Sequence, residues 1–148
     1  MEKMRDFRIV DNKYLLKSLT LEEETIQVRI MLHQTDFNIP ENINWDIVDG
    51  VIDLIVINTN EHIDKATKFI NFLIENCGLY DKQTIDKIKG FRFTSIEIND
   101  CFGRQAMTMY SKYHLQFDFI SDYWVDTYGR LNVTFMNRHV IGVERFQC

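Results

Sequence analysis

Two periods of apolar residues divide this chain. Phe7 and Ile9 alternate with charged residues, Asp11-Asn12-Lys13 supplies turn chemistry, and Tyr14-Leu15-Leu16 resumes the apolar run, which predicts a hairpin. After the acidic run Glu22-Glu23-Glu24, the residues Ile26, Val28, Ile30 and Leu32 lie two apart with Gln27 and Arg29 between them. That is the period of a strand with one face buried and the other toward water. Asn38 to Asn44, around Pro40, reads as a loop. Val51 to Ile57 is short, rich in β-branched residues and preceded by Gly50, so it reads as an internal strand.

The period then changes. Ile63, Ala66, Phe69, Ile70, Leu73, Ile74 and Cys77 recur at steps of three and four and form one apolar stripe, which predicts an amphipathic helix over about 61–77. Thr59 or Asn60 can cap it, Glu61 and Asp64 suit the positive end of its dipole, and Gly78 can take the left-handed turn that closes it. A short helix over about 81–89 presents Ile85 and Ile88 and stops at Gly90. From Phe91 the strand period returns: Phe91-Arg92-Phe93 into Ile96-Glu97-Ile98, a turn at Asn99 to Gly103, Ala106 to Tyr110, then Leu115, Phe117 and Phe119. Tyr123 to Asp126 follows, with a turn at Thr127-Tyr128-Gly129, then Leu131, Val133 and Phe135, a turn at Asn137-Arg138-His139, and Val140 to Phe146. Short turns join antiparallel neighbours. The expectation is an α+β fold, one domain over 1–148, with a mostly antiparallel β-sheet packed against the long helix and the short one.

Composition adds bounds. Of 148 residues, 45% are hydrophobic and 13% aromatic, enough for an ordinary core without staples. Met1 to Asp11 lacks the apolar run of a signal peptide, and Val51 to Ile57, interrupted by Asp53, is far short of the ~20 residues that cross a bilayer. Cys77, Cys101 and Cys148 are widely spaced and include no C-x-x-C pair, which fits a reducing compartment. Asn132-Val133-Thr134 is then an accidental sequon. A cytoplasmic protein away from membranes is expected. The formal net charge is −5, with the acid concentrated toward the N-terminus. No basic stripe is present for phosphates, so nucleic acid is not expected as a direct ligand.

The residues offer little chemistry. His33, His62, His114 and His139 share no spacing with one another or with the cysteines, so no metal is expected. A thiol needs a base and the base an orienting group, which makes Cys101, His114 and Asp118 the nearest approach to a catalytic set. Against it, Cys101 reads as a turn residue and His114 as a surface or sheet-edge residue. Asp118, Asp122 and Asp126 are spaced by four but fall on strands and a turn, where that spacing guarantees no common site. Asp86 with Glu97-Ile98-Asn99 lacks the lysine of a metal-dependent nuclease. No phosphate-binding glycine loop or hydrolase elbow occurs, and neither catalytic residues nor a cofactor are expected. Trp45 and the pair Tyr123-Trp124 suit recognition better, since a wide aromatic gives contact area at low entropic cost. Trp45 stands in an acidic loop with Glu41, Asp46, Asp49 and Asp53, leading into the internal strand, which suggests a recognition edge for a basic partner.

The order of strands, Trp45, apolar strand, helix Ile63 to Cys77, short helix, Phe91-x-Phe93-x-x-Ile96-x-Ile98, and a terminal hairpin with Tyr123-Trp124-Val125, Gly129-x-Leu131-x-Val133 and Val140-Ile141-Gly142-Val143-Glu144 resembles several uncharacterised bacterial families. Some of their members are regarded as immunity proteins encoded beside polymorphic toxins. The resemblance spans 45–146 and rests on architecture and apolar positions; it transfers no functional residue. It implies a small partner-binding protein that occludes a toxin by surface complementarity. The alternatives are a small enzyme with a site near Cys101 and His114, or a structural or regulatory domain.

Overall fold

The computed structural model describes residues 6–32, 39–78, 82–102, 112–120 and 130–146. Strand β1 (Arg8–Val10) turns into β2 (Tyr14–Leu21) where expected, with Asp11 and Asn12 both in the left-handed region (φ 53° and 55°). Two successive left-handed residues match the right-handed twist of the strands they join. Glu22 and Glu23 (φ 47° and 74°) repeat the device between β2 and β3 (Glu24–Met31), which stay in register from Tyr14 opposite Met31 to Leu21 opposite Glu24.

The run that reads as an internal strand is a helix. α1 spans Trp45–Ile57, and Val48, Val51 and Ile55 are fully buried along it. Their spacing of three and four is helical, and so is that of Asp46, Asp49 and Asp53 on the outer side. β-branching is a weak preference, and burial of one helical stripe overrides it. Asn44 fixes the start: its side-chain oxygen accepts from the amides of Asp46 (3.1 Å) and Ile47 (3.4 Å). Its own amide donates to the Cys101 carbonyl (2.7 Å), and Ile43 bridges Phe102, so the helix entrance is tied to the end of β4 (Gly90–Ile98). Gly50 lies inside α1, where it ends nothing. Trp45, expected in a loop, is the first residue of α1; it is half-buried, with its ring 5.6 Å from that of Phe7.

α2 (Thr59–Asn76) matches the predicted amphipathic helix, with Ala66 and Ile70 fully buried and Gly78 left-handed beyond its end (φ 63°). Its N-cap is Asn58, ahead of the expected Thr59 or Asn60, because the Thr59 hydroxyl donates back to the Ile55 carbonyl (2.9 Å) across the junction with α1. α3 (Lys82–Lys87) is the short helix. β4 then lies parallel to β3, from Gln27 opposite Ser95 to Ile30 opposite Ile98, as the long helical crossover requires. β5 (Lys112–Ile120), β6 (Arg130–Met136) and β7 (His139–Phe146) continue antiparallel, and the seven strands stand in chain order.

The fold is α+β, a mostly antiparallel sheet with helices on one face. The core lies between that face and α1 and α2: Ile26, Val28 and Ile30 of β3, Phe93, Ile96 and Ile98 of β4, Tyr113, Leu115, Phe117 and Phe119 of β5, and Leu131, Val133 and Phe135 of β6. A shift of register between Phe93 and Ser95 keeps both halves of β4 facing it. No helix among the described residues is long and apolar enough to cross a membrane. The predicted strands at Ala106 to Tyr110 and Tyr123 to Asp126, with Trp124 and the turn at Thr127 to Gly129, lie outside the described residues.

Candidate functional site: the polar face of the sheet

Residues between the core positions point to the opposite face of the sheet. Strand registers align them into rows. Arg29 stands beside Glu97, Glu97 beside His114, and His114 beside Thr134; one step along, Gln27, Ser95, Gln116, Asn132 and Glu144 form the next row. Arg92, Asp118 and Arg130 lie beyond. Three of these polar side chains are almost fully buried: Ser95 is 2% exposed, Gln116 5% and Asn132 5%.

Gln116 is the hub. Its Oε1 accepts from Ser95 Oγ (2.5 Å), Arg29 Nη1 (3.3 Å) and Arg130 Nη1 (3.5 Å), and its Nε2 donates to Glu97 Oε2 (2.9 Å). Glu97 Oε1 accepts from Asn99 Nδ2 (2.9 Å), so both carboxylate oxygens are held by amides. Arg130 Nε donates to Asp118 Oδ1 (3.0 Å). Arg29 also reaches Gln27 Oε1 (3.4 Å) and lies over the Tyr14 ring at 5.7 Å. None of the ion pairs among the described residues includes it. Buried Arg29 Nε, Asn99 Oδ1 and Asn132 Oδ1 have no hydrogen-bond partner among the described residues. Unmatched buried polar atoms cost stability, and three on one face mark it as more than a solvated surface.

His114 belongs to this face. Its Nδ1 is 2.8 Å from Thr134 Oγ1 and 3.2 Å from Asn132 Nδ2. Burial pushes the imidazole below its ordinary pKa, against the pull of Glu97, so the neutral ring accepts at Nδ1. β5 is an interior strand and His114 is half-buried on it, which corrects the expectation of a surface or sheet-edge histidine. Cys101 does not meet it. The expected turn residue is fully buried in the core cluster, and burial, with Asp100 adding to it, pushes its thiol up to about 12. A protonated thiol in the core, with the imidazole bound on the other face, makes no nucleophile and base pair.

The remaining expected residues separate. Asp46, Asp49 and Asp53 share one side of α1, Asp46 and Asp53 exposed and Asp49 half-buried, with Glu41 exposed just before it. Asp118 is engaged with Arg130; Asp122, Asp126, Tyr123 and Trp124 lie outside the described residues. Asp86 is exposed on α3 while Glu97 is bound on β4. No group of acidic, histidine or cysteine residues that could hold a metal ion occurs among the described residues.

A second buried polar group lies under α2. His62 Nδ1 donates to the Asn58 carbonyl (2.8 Å), and the Tyr113 hydroxyl, with a single proton to give, lies between His62 Nε2 (2.5 Å) and the Asn137 carbonyl. Burial lowers the His62 pKa, opposed by Asn58 and Glu61, and raises that of Tyr113. These shifts predict a pH profile. The unfolded chain takes up protons at His62 and His114 below their ordinary value of 6.5, while the folded chain resists, so stability falls as pH drops through that value. Lys65 and Arg138 hold Glu61 at about 2 against an ordinary 4.5, so its contribution is lost only below 4.5. Thermal melts should be level between neutrality and the ordinary thiol value of 9.0, above which the unfolded chain sheds protons that Cys101 and Tyr113 retain when folded, and should decline from 6.5 toward 4.5. His62→Asn combined with His114→Gln should flatten that interval; an unchanged decline in the double variant would assign it to other groups.

Compared with known proteins, the chain matches no family model, no curated protein and no solved structure.

Proposed function

We propose that this chain is a partner-binding protein, of the immunity type in which a small protein occludes a cognate toxin, and that the polar sheet face is its recognition surface. The observation that carries the reading is the ordering of that face. Side chains from β3, β4, β5 and β6 are fixed by one another through Gln116, so little rotamer entropy is lost on binding. The chemistry is recognition, with hydrogen-bond donors and acceptors held in fixed places.

The resemblance supports the immunity role within that class, in the cytoplasm of a bacterium, through its apolar positions and the elements other than Val51 to Ile57, which is helical in α1. The acidic row of α1, Asp46, Asp49 and Asp53, supplies a field that speeds the approach of a basic partner. Trp45 has its ring engaged by Phe7, so it contributes less than a free aromatic anchor would.

The test is co-expression with the polypeptide encoded by the adjacent reading frame. The wild-type chain should restore growth and form a complex with it. Asn132→Arg with Thr134→Arg, checked for folding by circular dichroism, should abolish both, whereas Asp46→Asn with Asp49→Asn should mainly slow association and flatten its salt dependence. Full rescue by the folded double-arginine variant would remove the sheet face from the interface.

A further inference from the structure

Two guanidinium groups on the polar face are aimed at one neutral oxygen. Arg29 Nη1 and Arg130 Nη1 lie 3.3 Å and 3.5 Å from Gln116 Oε1, and that oxygen already accepts a shorter bond from Ser95 Oγ at 2.5 Å. An amide oxygen has two lone pairs, so a third donor is poorly served. Arg130 has a carboxylate of its own in Asp118; among the described residues Arg29 has none. The acid nearest Arg29 in register is Glu97, but both its oxygens are turned to the amides of Gln116 and Asn99. Arg29 is thus a half-buried cation with two long contacts to neutral amides, a buried Nε without an acceptor, and the Tyr14 ring beneath it. A half-buried cation so poorly matched gains from an added anion.

A second observation lies in the same rows. Asn132 is 5% exposed, stands beside Gln116, and has an unmatched Oδ1. Gly142, opposite Thr134, has open space where a side chain would stand, which leaves the β7 side of this patch uncovered by its own strand.

We propose that Arg29, with Arg130 and Gln116, forms a seat for a carboxylate group. A planar carboxylate matches the guanidinium fork with two parallel hydrogen bonds. Its single charge also fits the surroundings. Glu97, Asp118 and Glu144 lie on the same face, and a doubly charged phosphate would meet more repulsion than a carboxylate does. The inference deepens the reading of this face as a binding surface by naming the group a partner would present, an acidic side chain or a chain terminus. It can fail while that reading stands, because it is tested with small anions alone.

The experiment is a titration of the full chain with sodium acetate at fixed ionic strength, following the Nε–H signals of arginine and the side-chain amides of Gln116 and Asn132 by NMR. Saturable shifts at Arg29 and Gln116 are expected, with acetate binding more tightly than inorganic phosphate. Arg29→Gln should abolish the response. Arg29→Lys, which retains charge and loses the fork, should weaken it about tenfold. Arg8→Gln, on exposed β1, should leave it unchanged. Shifts that are linear in acetate, or that persist in folded Arg29→Gln, would overturn the seat; tighter binding of phosphate would overturn the preference for carboxylate.

Discussion

Ile70→Asp unfolds the protein. Ile70 is fully buried in the middle of α2, in the cluster formed with the sheet. Removing its side chain forfeits roughly 1.5–3 kcal/mol of burial, and an aspartate there must either be ionised in an apolar site or take up a proton, at a further cost of several kcal/mol. A domain of this size has a total stability of roughly 5–15 kcal/mol, so the sum is comparable with the whole. The expected result is insoluble protein or loss of the cooperative thermal transition. Asn71→Asp, one residue on and exposed, should shift stability by no more than about 0.5 kcal/mol, and Ile70→Val should cost about 0.5–1.5 kcal/mol. A melting temperature for Ile70→Asp close to wild type would mean that α2 does not pack on the sheet.

The contrast between α2 and α1 shows what the sequence could and could not convey. In α2 the apolar residues from Ile63 to Ile74 are interrupted by Asp64-Lys65, Thr67-Lys68 and Asn71, so the period is visible. In α1 the segment from Val51 to Ile57 holds one charge in seven residues, and an unbroken apolar run carries no period of its own. The helix was legible only by reading back to Asp46 and Asp49, which fall in step with Asp53, and to Asn44, whose side chain caps it. Gly50, which precedes that run, is tolerated inside the helix at a cost of roughly 1 kcal/mol relative to alanine. The hairpins at Asp11-Asn12 and Asn137-Arg138 were legible because turn chemistry is local.

The candidate site was hidden for a different reason. Gln27 and Arg29, His114 and Gln116, Asn132 and Thr134 all alternate with core residues, and each pair alone reads as the wet side of a strand. What makes them one patch is the parallel pairing of β3 with β4 across a crossover of two helices, which sets Arg29 beside Glu97 and, through β5, within reach of Gln116. That register depends on long-range packing, since no turn connects the two strands directly. Cys101 and His114 fail as a pair on the same ground: they are close in sequence, and the strand between core and polar face divides them.

Gln116→Leu should cost about 3 kcal/mol, the largest effect expected on the polar face. The substitution leaves the Ser95 hydroxyl without its acceptor and removes one amide donor from Glu97, and each buried orphan costs roughly 1–3 kcal/mol. Ser95→Ala removes the hydroxyl together with its need for a partner and should cost only about 1 kcal/mol. The two effects should not add. With alanine at 95 the leucine at 116 orphans one group fewer, so the double variant should be more stable than the sum by about 1 kcal/mol. Urea unfolding of the four proteins measures this coupling directly. Full coupling means that the rows on this face are a single preorganised network, which is what a recognition surface needs; strict additivity would mean that each side chain is solvated on its own, and the case for a shared site on these strands would fall with it.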